Sequence, residues 1–278
     1  MAAATVASLF VYPVKSCRGV AVDRADVLST GLAANGLRDR EWMIVDRRGR
    51  FVTQRERPRL ALVEARAADD GIELRGPDLA PVVARTGTAS REVVVWSAHV
   101  AGFDAGDDVA DALSRYLDDD VRLVRFDERR PRRCNPLYAG DSGATTLFAD
   151  GYPLLVVGRA SLDDLNRRLD GQRGGKLPMD RFRPNVVLDG LEPYDEDHVD
   201  TLAIGGVVLK LVKPCTRCEI TTTDQSSGRR GIEPLRTLSS YRRDDRLAGV
   251  TFGMNAIVAA GAGASISAGD RADVTLRF

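Results

Sequence analysis

Apolar and β-branched residues occur along the first 125 positions in short runs that Gly, Asp, Pro and Arg interrupt. Runs of this length, bounded by turn-forming residues, are typical of strands. In IVDRRGRFVTQR (residues 44–55) two such runs flank a polar turn, in which Gly49 can adopt the positive φ of a tight hairpin. The pattern therefore predicts a hairpin here and strands at 6–12, 22–28, 42–45, 51–53, 60–64, 72–74 and 93–96.

Helical spacing is confined to a few segments. Residues 107–117 carry apolar side chains on one face of a helix, namely Val109, Leu113, Tyr116 and Leu117. SLDDLNRRL (161–169) predicts a second helix, with Ser161 as the N-cap and Asp164 at the capping-box position. A short third helix is predicted within 234–242. The remaining apolar runs predict strands at 121–126, 153–158, 185–188, 207–212, 219–223, 256–259 and 274–277.

Strands dominate this pattern, and no regular alternation of strand and helix appears. It predicts an α+β fold that is mostly β, a mixed barrel or curved sheet with a few helices. The basic segment DERRPRRCNPLYAGDSG (127–143) interrupts the pattern as an irregular connector, interpreted as a solvated loop or a docking site for an acidic partner. We therefore expect a smaller N-terminal mixed β domain over 1–125 and a barrel-like domain over 126–278.

The charge balance limits the possible partners. Lys+Arg and Asp+Glu are equal at 40 each, so no global field would attract nucleic acid or an anionic membrane. No apolar run is long enough to span a bilayer, and the first residues do not resemble a secretory signal. We expect a cytoplasmic protein, in which structural disulfides among the four cysteines are disfavoured.

The sharpest candidate for chemistry is the pair Cys215 and Cys218. A thioredoxin-type pair should open a helix, whereas β-branched residues follow this one. A zinc site would need further ligands, but Cys17 and Cys134 are isolated and neither of the two histidines is near a cysteine in sequence. Buried packing residues, zinc and another metal or redox role remain open. If Arg217 keeps the neighbouring sulfur deprotonated, the thiolate suits a metal that arrives within a pre-assembled cofactor.

Such a cofactor, if phosphorylated, needs cations and backbone N–H groups around its anionic part. Lys15 and Ser16 follow the first predicted strand, Arg40 precedes another, and Arg183 stands before an apolar run. Pro184 is expected to hold Arg183 in an extended conformation. Each basic residue taken singly is most often a solvated surface charge. Their repeated position at strand ends, beside Pro or Gly, favours a binding role.

Several motifs together resemble a known family. They are VYPVKSC (11–17), LRDREWMIVD (37–46), RFRPNVVLDG (181–190), PCTRCEITTTD (214–224), EPLRTLSSYRR (233–243) and FGMN (252–255). The first two resemble the N-terminal domain that accompanies MOSC (molybdenum cofactor sulfurase C-terminal) domains, and the others resemble the MOSC domain itself. The motifs extend over nearly the whole chain and resemble those of the mitochondrial amidoxime-reducing components and their bacterial counterparts.

The resemblance implies a MOSC β-barrel-like domain over 126–278 and an N-terminal MOSC domain over 1–125. It also implies the molybdenum cofactor (Mo-molybdopterin), with Cys218 as the catalytic residue and the metal ligand. The cofactor contacts that it implies are Lys15, Ser16, Arg40, Gly151, Tyr152, Arg183, Thr216, Arg217 and Asn255.

The activity implied is reduction of N-hydroxylated compounds such as amidoximes, hydroxylamines and N-hydroxylated bases. Since no C-x4-C-x2-C set for an iron–sulfur cluster is present, we expect electrons from a separate ferredoxin- or flavoprotein-type protein. We also expect no membrane anchor. Three alternatives stay open: a sulfurase-like sulfur carrier with a persulfide on Cys218, a cofactor-binding protein without turnover, and a β-rich protein whose cysteine pair is core packing.

Overall fold

The computed structural model describes residues 2–171 and 175–277, and strands dominate it. The strands are β1 (Ala2–Val11), β2 (Val20–Val22), β3 (Arg24–Leu28), β4 (Gly31–Ala34), β5 (Leu37–Arg38), β6 (Trp42–Asp46), β7 (Glu64–Ala68), β8 (Gly71–Gly76), β9 (Leu79–Arg85), β10 (Ser90–Val95), β11 (Ala98–Asp104), β12 (Val121–Phe126), β13 (Arg132–Arg133), β14 (Thr145–Thr146), β15 (Leu154–Gly158), β16 (Val186–Asp189), β17 (Val199–Ile204), β18 (Val207–Thr216), β19 (Arg243–Asp244), β20 (Gly249–Ala260), β21 (Ser265–Ser267) and β22 (Arg271–Leu276).

The helices are fewer. The α-helices are α1 (Asp107–Leu117), α2 (Pro136–Ala139), α3 (Arg159–Asp170) and α4 (Leu235–Ser239). Single 3₁₀ turns are formed by Pro58–Leu62, Met179–Phe182, Asp195–His198 and Glu219–Thr222. Within the described residues no helix has the length and apolar content needed to cross a bilayer.

Seven strands form a closed barrel in the order β15-β16-β1-β22-β17-β18-β20, because β20 pairs back onto β15. All neighbours are antiparallel except β15 and β16, which are parallel and are joined through α3. The predicted mostly β fold with a barrel-like domain is confirmed.

Strands from both ends of the chain take part in the same sheets. The first strand, β1, pairs with β16 and β22 inside the barrel. The late strand β21 extends a smaller sheet of β3, β4 and β5. The remaining small sheets consist of β10-β11-β12-β6, β7-β8-β9 and β13-β14. The division of the chain at residue 125 stays a prediction, and these pairings cross it.

The strand β15 is buried on both faces. Leu154 and Val156 pack in the main core, whereas Leu155 and Val157 belong to a second apolar cluster with residues of α3. Successive side chains of a strand point to opposite faces, so a helix on the outer face accounts for this continuous apolar run. Burial of each such side chain contributes about 1.5–3 kcal/mol. The packing fixes β15, whose first residues border the cavity described below.

Several local predictions are confirmed. The helix over 107–117 and the strand over 121–126 have the predicted bounds. Gly49 has φ +73° in the predicted hairpin turn, and its N–H donates to Asp46 O at 2.9 Å. On the far side of that turn, however, Phe51 forms only an isolated bridge with Val45, so no strand forms over 51–53.

Other local predictions are wrong. Residues 60–64 were expected to be a strand, but the chain forms a 3₁₀ turn that begins at Pro58, and β7 starts only at Glu64. Residues 219–223 also form a turn, in which the hydroxyls of Thr221 and Thr222 donate to carbonyl oxygens three residues earlier at 2.9 and 2.8 Å. These local hydrogen bonds compete with a sheet ladder. The strands β4, β5, β9, β11, β13, β14, β17, β19 and β21 were not anticipated.

The predicted cap of the second helix is also wrong. α3 begins at Arg159 with Gly158 as its N-cap. Ser161 is buried inside the helix, and its hydroxyl donates to Glu196 Oε2 at 2.7 Å. Asp164 instead accepts from Arg168 Nε at 2.7 Å. The sequence pattern matched a capping box, but a tertiary partner decided how the serine is used.

Barrel closure depends on a close approach at Gly253, which lies in β20 with φ +75°. A Cβ atom there would lie 2.6 Å from Val157 Cγ2 and 2.8 Å from Val156 O. We expect Gly253→Ala to lower the free energy of unfolding by roughly 2–4 kcal/mol, because backbone strain and overlap add. Urea denaturation measures this loss.

Gly263→Ala is the matched control for this prediction. Gly263 also has positive φ, at +96°, but a Cβ atom there meets nothing within 4 Å among the described residues. Only backbone strain of about 1 kcal/mol is expected. Equal losses in the two variants would contradict the role assigned to the close approach.

Candidate functional site

A cavity of about 430 Å³ lies at one end of the barrel. The strand register brings the lining residues together. Asn255 of β20 lies opposite Lys213 of β18 on one side and opposite Leu155 of β15 on the other. β1 ends beside the first residues of β16, so the loop after β1 reaches the same place. All the site residues that the sequence suggested line this cavity: Lys15, Ser16, Arg40, Gly151, Tyr152, Arg183, Thr216, Arg217, Cys218 and Asn255.

The two cysteines of the pair have different surroundings. Both are half-buried, Cys215 near the end of β18 and Cys218 directly before the 3₁₀ turn. Arg217 donates from Nη1 to Cys215 Sγ at 2.9 Å and from Nη2 to Phe182 O at 2.7 Å. Its guanidinium is therefore engaged with Cys215, contrary to the expectation that it would act on Cys218. Within the described part of the chain the sulfur of Cys218 makes no hydrogen bond, although the residue borders the cavity.

Two arginines stack on one tyrosine. The Cζ atoms of Arg40 and Arg183 lie 4.3 and 4.4 Å from the centroid of the Tyr12 ring. Arg183 donates from Nη1 to Cys17 O at 2.6 Å, whereas its buried Nη2 has no hydrogen-bond partner among residues 2–171 and 175–277. Burial, and then the charge of Arg40, lower the pKa of Arg183 to about 10. A buried and a partly buried cation side by side, with an unused donor, form an arrangement that an anion would stabilise.

Asp39 holds Arg40 in position beside Tyr12. Its carboxylate accepts from Arg40 Nη1 at 2.6 Å, from Tyr12 N at 2.8 Å and from Asn185 Nδ2 at 2.9 Å. Asn185 in turn accepts from Leu155 N at 3.1 Å and from Arg40 Nη1 at 3.0 Å. The network joins the ends of β1 and β15 to the segments before β6 and β16. Asn185 was missed by sequence reasoning, although it lies within the RFRPN motif (181–185).

Two acceptors fix the ammonium group of Lys15. Its ammonium donates to Asp150 Oδ1 at 2.5 Å and to Phe148 O at 2.9 Å. Burial lowers the pKa of Lys15, although Asp150 acts in the opposite direction. Arg132 donates to the carbonyl oxygens of residues 147, 149 and 150, so this part of the basic connector braces the loop that leads to Gly151. It is therefore not a wholly solvated segment.

Backbone strain concentrates around the cavity. Ser16, Arg40 and Arg183 have φ of 67°, 48° and 56°, in the left-handed region that non-glycine residues rarely adopt. Such conformations cost about 1–3 kcal/mol each and cluster at functional sites. The extended conformation expected for Arg183 before Pro184 is therefore wrong. Arg183 N donates to Asp180 O at 3.2 Å, so the chain closes a turn before it enters β16.

The cavity is strongly cationic although the chain as a whole is neutral. Among the residues that the structure describes, its lining contains six cationic side chains and one carboxylate, Asp150. The cationic residues are Lys15, Arg40, Arg55, Arg183, Lys213 and Arg217. Sequence reasoning missed Arg55 and Lys213, together with Thr53 and Trp96, because none belongs to a motif that indicates ligand binding. The local charge suits an anionic ligand.

Comparison with known proteins assigns both halves of the chain. The family model described as MOSC N-terminal beta barrel domain matches residues 3–120, and the model described as MOSC domain matches residues 144–273. Mitochondrial amidoxime reducing component 2 of Bos taurus is 37% identical over 251 residues, which cover 87% of this chain and 73% of that protein. Mitochondrial amidoxime-reducing component 1 of Homo sapiens is 38% identical with the same coverage. The YuaD protein from Bacillus subtilis aligns over 99% of this chain and 97% of its own, at 12% identity and a TM-score of 0.43.

Asp39→Ala should destabilise the protein by roughly 3–5 kcal/mol, because it leaves the partly buried Arg40 and the Tyr12 N–H without this acceptor. Chemical denaturation of the purified variant measures the change. Asp273→Ala is the control, because Asp273 pairs with Arg271 at 3.0 Å on the surface, where such a pair contributes at most about 1 kcal/mol. A loss at Asp39 no larger than at Asp273 would contradict the supporting role of this network.

Proposed function

Because the chain belongs to the MOSC family, with a MOSC N-terminal beta barrel domain before a MOSC domain, we propose that it is an oxidoreductase that reduces N-hydroxylated compounds with a molybdenum cofactor. One observation carries the proposal. The thiol of Cys218, which makes no hydrogen bond within the described residues, lines the same cavity as buried cationic side chains. Relatives named amidoxime-reducing components, at 37–38% identity, support the reaction class.

The residues present fit this cofactor. Within the described residues no group of three or more His, Cys, Asp and Glu side chains could hold a metal ion by itself. A single thiolate therefore suits a metal that brings its remaining ligands with it. The unused Nη2 of Arg183, together with Arg40 and Lys15, suits the phosphate of a pterin.

In the proposed complex Cys218 would lose its Sγ proton and bind the metal. Lys15, Ser16, Arg40 and Arg183 would hold the anionic end of the pterin. The other surrounding contacts would come from Gly151, Tyr152, Thr216, Arg217 and Asn255. The bound cofactor supplies a two-electron redox couple that can accept an oxygen atom. Cys215, already engaged by Arg217, would support the loop instead of binding the metal.

The overall reaction breaks one N–O bond. An amidoxime takes up two electrons and two protons and yields an amidine and water. We propose that the electrons come from a separate ferredoxin- or flavoprotein-type protein. The proposal keeps the cytoplasmic location inferred from the sequence, while the relatives compared are named as mitochondrial.

Cys218→Ser should remove the reduction of benzamidoxime by cofactor-loaded protein with a chemical electron donor, because the substitution removes the thiolate that the metal would bind. Cys215→Ser is the matched control and should keep most of the activity. Activity assays combined with elemental analysis for molybdenum measure both effects. A Cys218→Ser protein that retains molybdenum and full activity would refute the assignment. Cyanide-releasable sulfur on Cys218 in metal-free protein would instead favour the persulfide carrier.

Arg183→Gln should have a larger effect on the fraction of protein that holds cofactor than on the free energy of unfolding, because the substitution removes a cation from the cavity. Arg181→Gln is a close control, since Arg181 is also 8% exposed but pairs with Asp224 at 3.0 Å and does not line the cavity. Extraction and quantification of the pterin, alongside denaturation curves, separate the two effects. Equal occupancy in both variants would mean that Arg183 does not anchor the cofactor.

A further inference from the structure

The rim of the cavity contains an exposed tryptophan that the proposed cofactor contacts do not use. Trp96 lines the cavity with 48% of its surface exposed. Its Nε1 donates to Asp150 Oδ1 at 3.0 Å, and its ring meets Phe51 edge-on with centroids 5.1 Å apart. The side chain is therefore held in a defined orientation while about half of its surface stays open to a ligand.

The backbone at Trp96 is unfavourable for tryptophan. Trp96 and Ser97 form the two-residue turn between β10 and β11, in which Val95 pairs with Ala98. Trp96 has φ 58°, whereas glycine is favoured at the first position of such a turn. A bulky residue in this conformation is a structural outlier that points to a role beyond the turn.

Arg55 stacks on this tryptophan at 4.6 Å from the ring centroid and also lines the cavity. Its Nε donates to Thr53 Oγ1 at 3.3 Å, and no carboxylate lies within salt-bridge distance of it in the described part of the chain. An arginine whose face is stacked keeps the N–H groups at its edge free for a carboxylate. Lys15 and Arg40, by contrast, each have a carboxylate partner.

We propose that Arg55 and Trp96 form a substrate subsite at the rim, which binds an aromatic ring bearing a carboxylate. Trp96 contacts the ring, and Arg55 binds the negative charge. This inference rests on the proposed function and adds a substrate class to it: anionic aromatic N-hydroxylated compounds are preferred over neutral and cationic ones.

The test is a charge series of substrates on the cofactor-loaded protein with a chemical electron donor. kcat/KM should fall from 4-carboxybenzamidoxime to benzamidoxime to 4-(trimethylammonio)benzamidoxime. Arg55→Gln should lower kcat/KM for the carboxylate about tenfold, mainly through KM, and change it for benzamidoxime by less than about twofold. Arg57→Gln is the matched control, because Arg57 pairs with Asp119 at 2.8 Å and does not line the cavity.

A second variant separates the ring contact from the charge contact. Trp96→Gly suits the backbone of the turn, so the hairpin should be retained. It should raise KM for both benzamidoxime and its carboxylate but leave KM for hydroxylamine, which has no ring, unchanged. The chain has two tryptophans and Trp42 is 1% exposed, so the emission that responds to an added ligand reports on Trp96. Titration with 4-carboxybenzamidoxime should change this emission in the parent and not in Trp96→Gly.

Three results would overturn the subsite. They are the absence of a charge preference in the parent protein, an equal effect of Arg55→Gln on all three compounds, and a fall in molybdenum content of Arg55→Gln, which would assign Arg55 to the cofactor. If the parent reduces no N-hydroxylated compound, the proposed function fails. The fluorescence titration then still decides whether the rim binds an aromatic carboxylate.

Discussion

Two positive charges stacked on one buried aromatic ring determine the architecture of the site. Arg40 and Arg183 both stack on Tyr12, and Asp39 supplies the carboxylate beside them. Moving a charge out of water is expensive unless it is paired and hydrogen-bonded. Here the one carboxylate pairs with Arg40, and one nitrogen of Arg183 is left without a partner among the described residues. The fold thus maintains a deficit of negative charge that an anionic ligand would complete.

Closure of the barrel keeps these cationic side chains together despite the missing negative charge. The cavity residues span positions 15 to 255, and they meet because β1, β15, β16, β18 and β20 present their ends or central residues at one rim. Asn185 and Asp39 bind across these elements, so the arginines cannot relax toward solvent without breaking buried hydrogen bonds. The strained backbones of Ser16, Arg40 and Arg183 persist for the same reason.

The same cavity separates three kinds of contact. Buried cations line the part of the cavity that suits an anion. The thiol of Cys218, which makes no hydrogen bond within the described residues, lines the same cavity. Arg55 and Trp96 lie at the open rim. Arg217 donates its hydrogen bonds to Cys215 and to the carbonyl oxygen of Phe182. The two cysteines are therefore chemically unequal, although both belong to the same Cys-x-x-Cys motif. The difference arises from folding and not from the cysteine pair itself.

The sequence by itself determined the features that depend on near neighbours: the apolar face of α1, the strand β12, the turn at Gly49 and the motifs that contain Cys218, Lys15 and Arg183. Periodicity and turn chemistry act over a few residues, so a local pattern is sufficient for them. Only the tertiary structure decided that 219–223 forms a turn, that Ser161 serves Glu196, and that Arg183 adopts a left-handed backbone. It also decided that Arg217 faces Cys215 and that Arg55 meets Trp96. Each of these depends on a partner distant in sequence or on the path of the backbone, because burial and hydrogen bonding across the barrel override local preference.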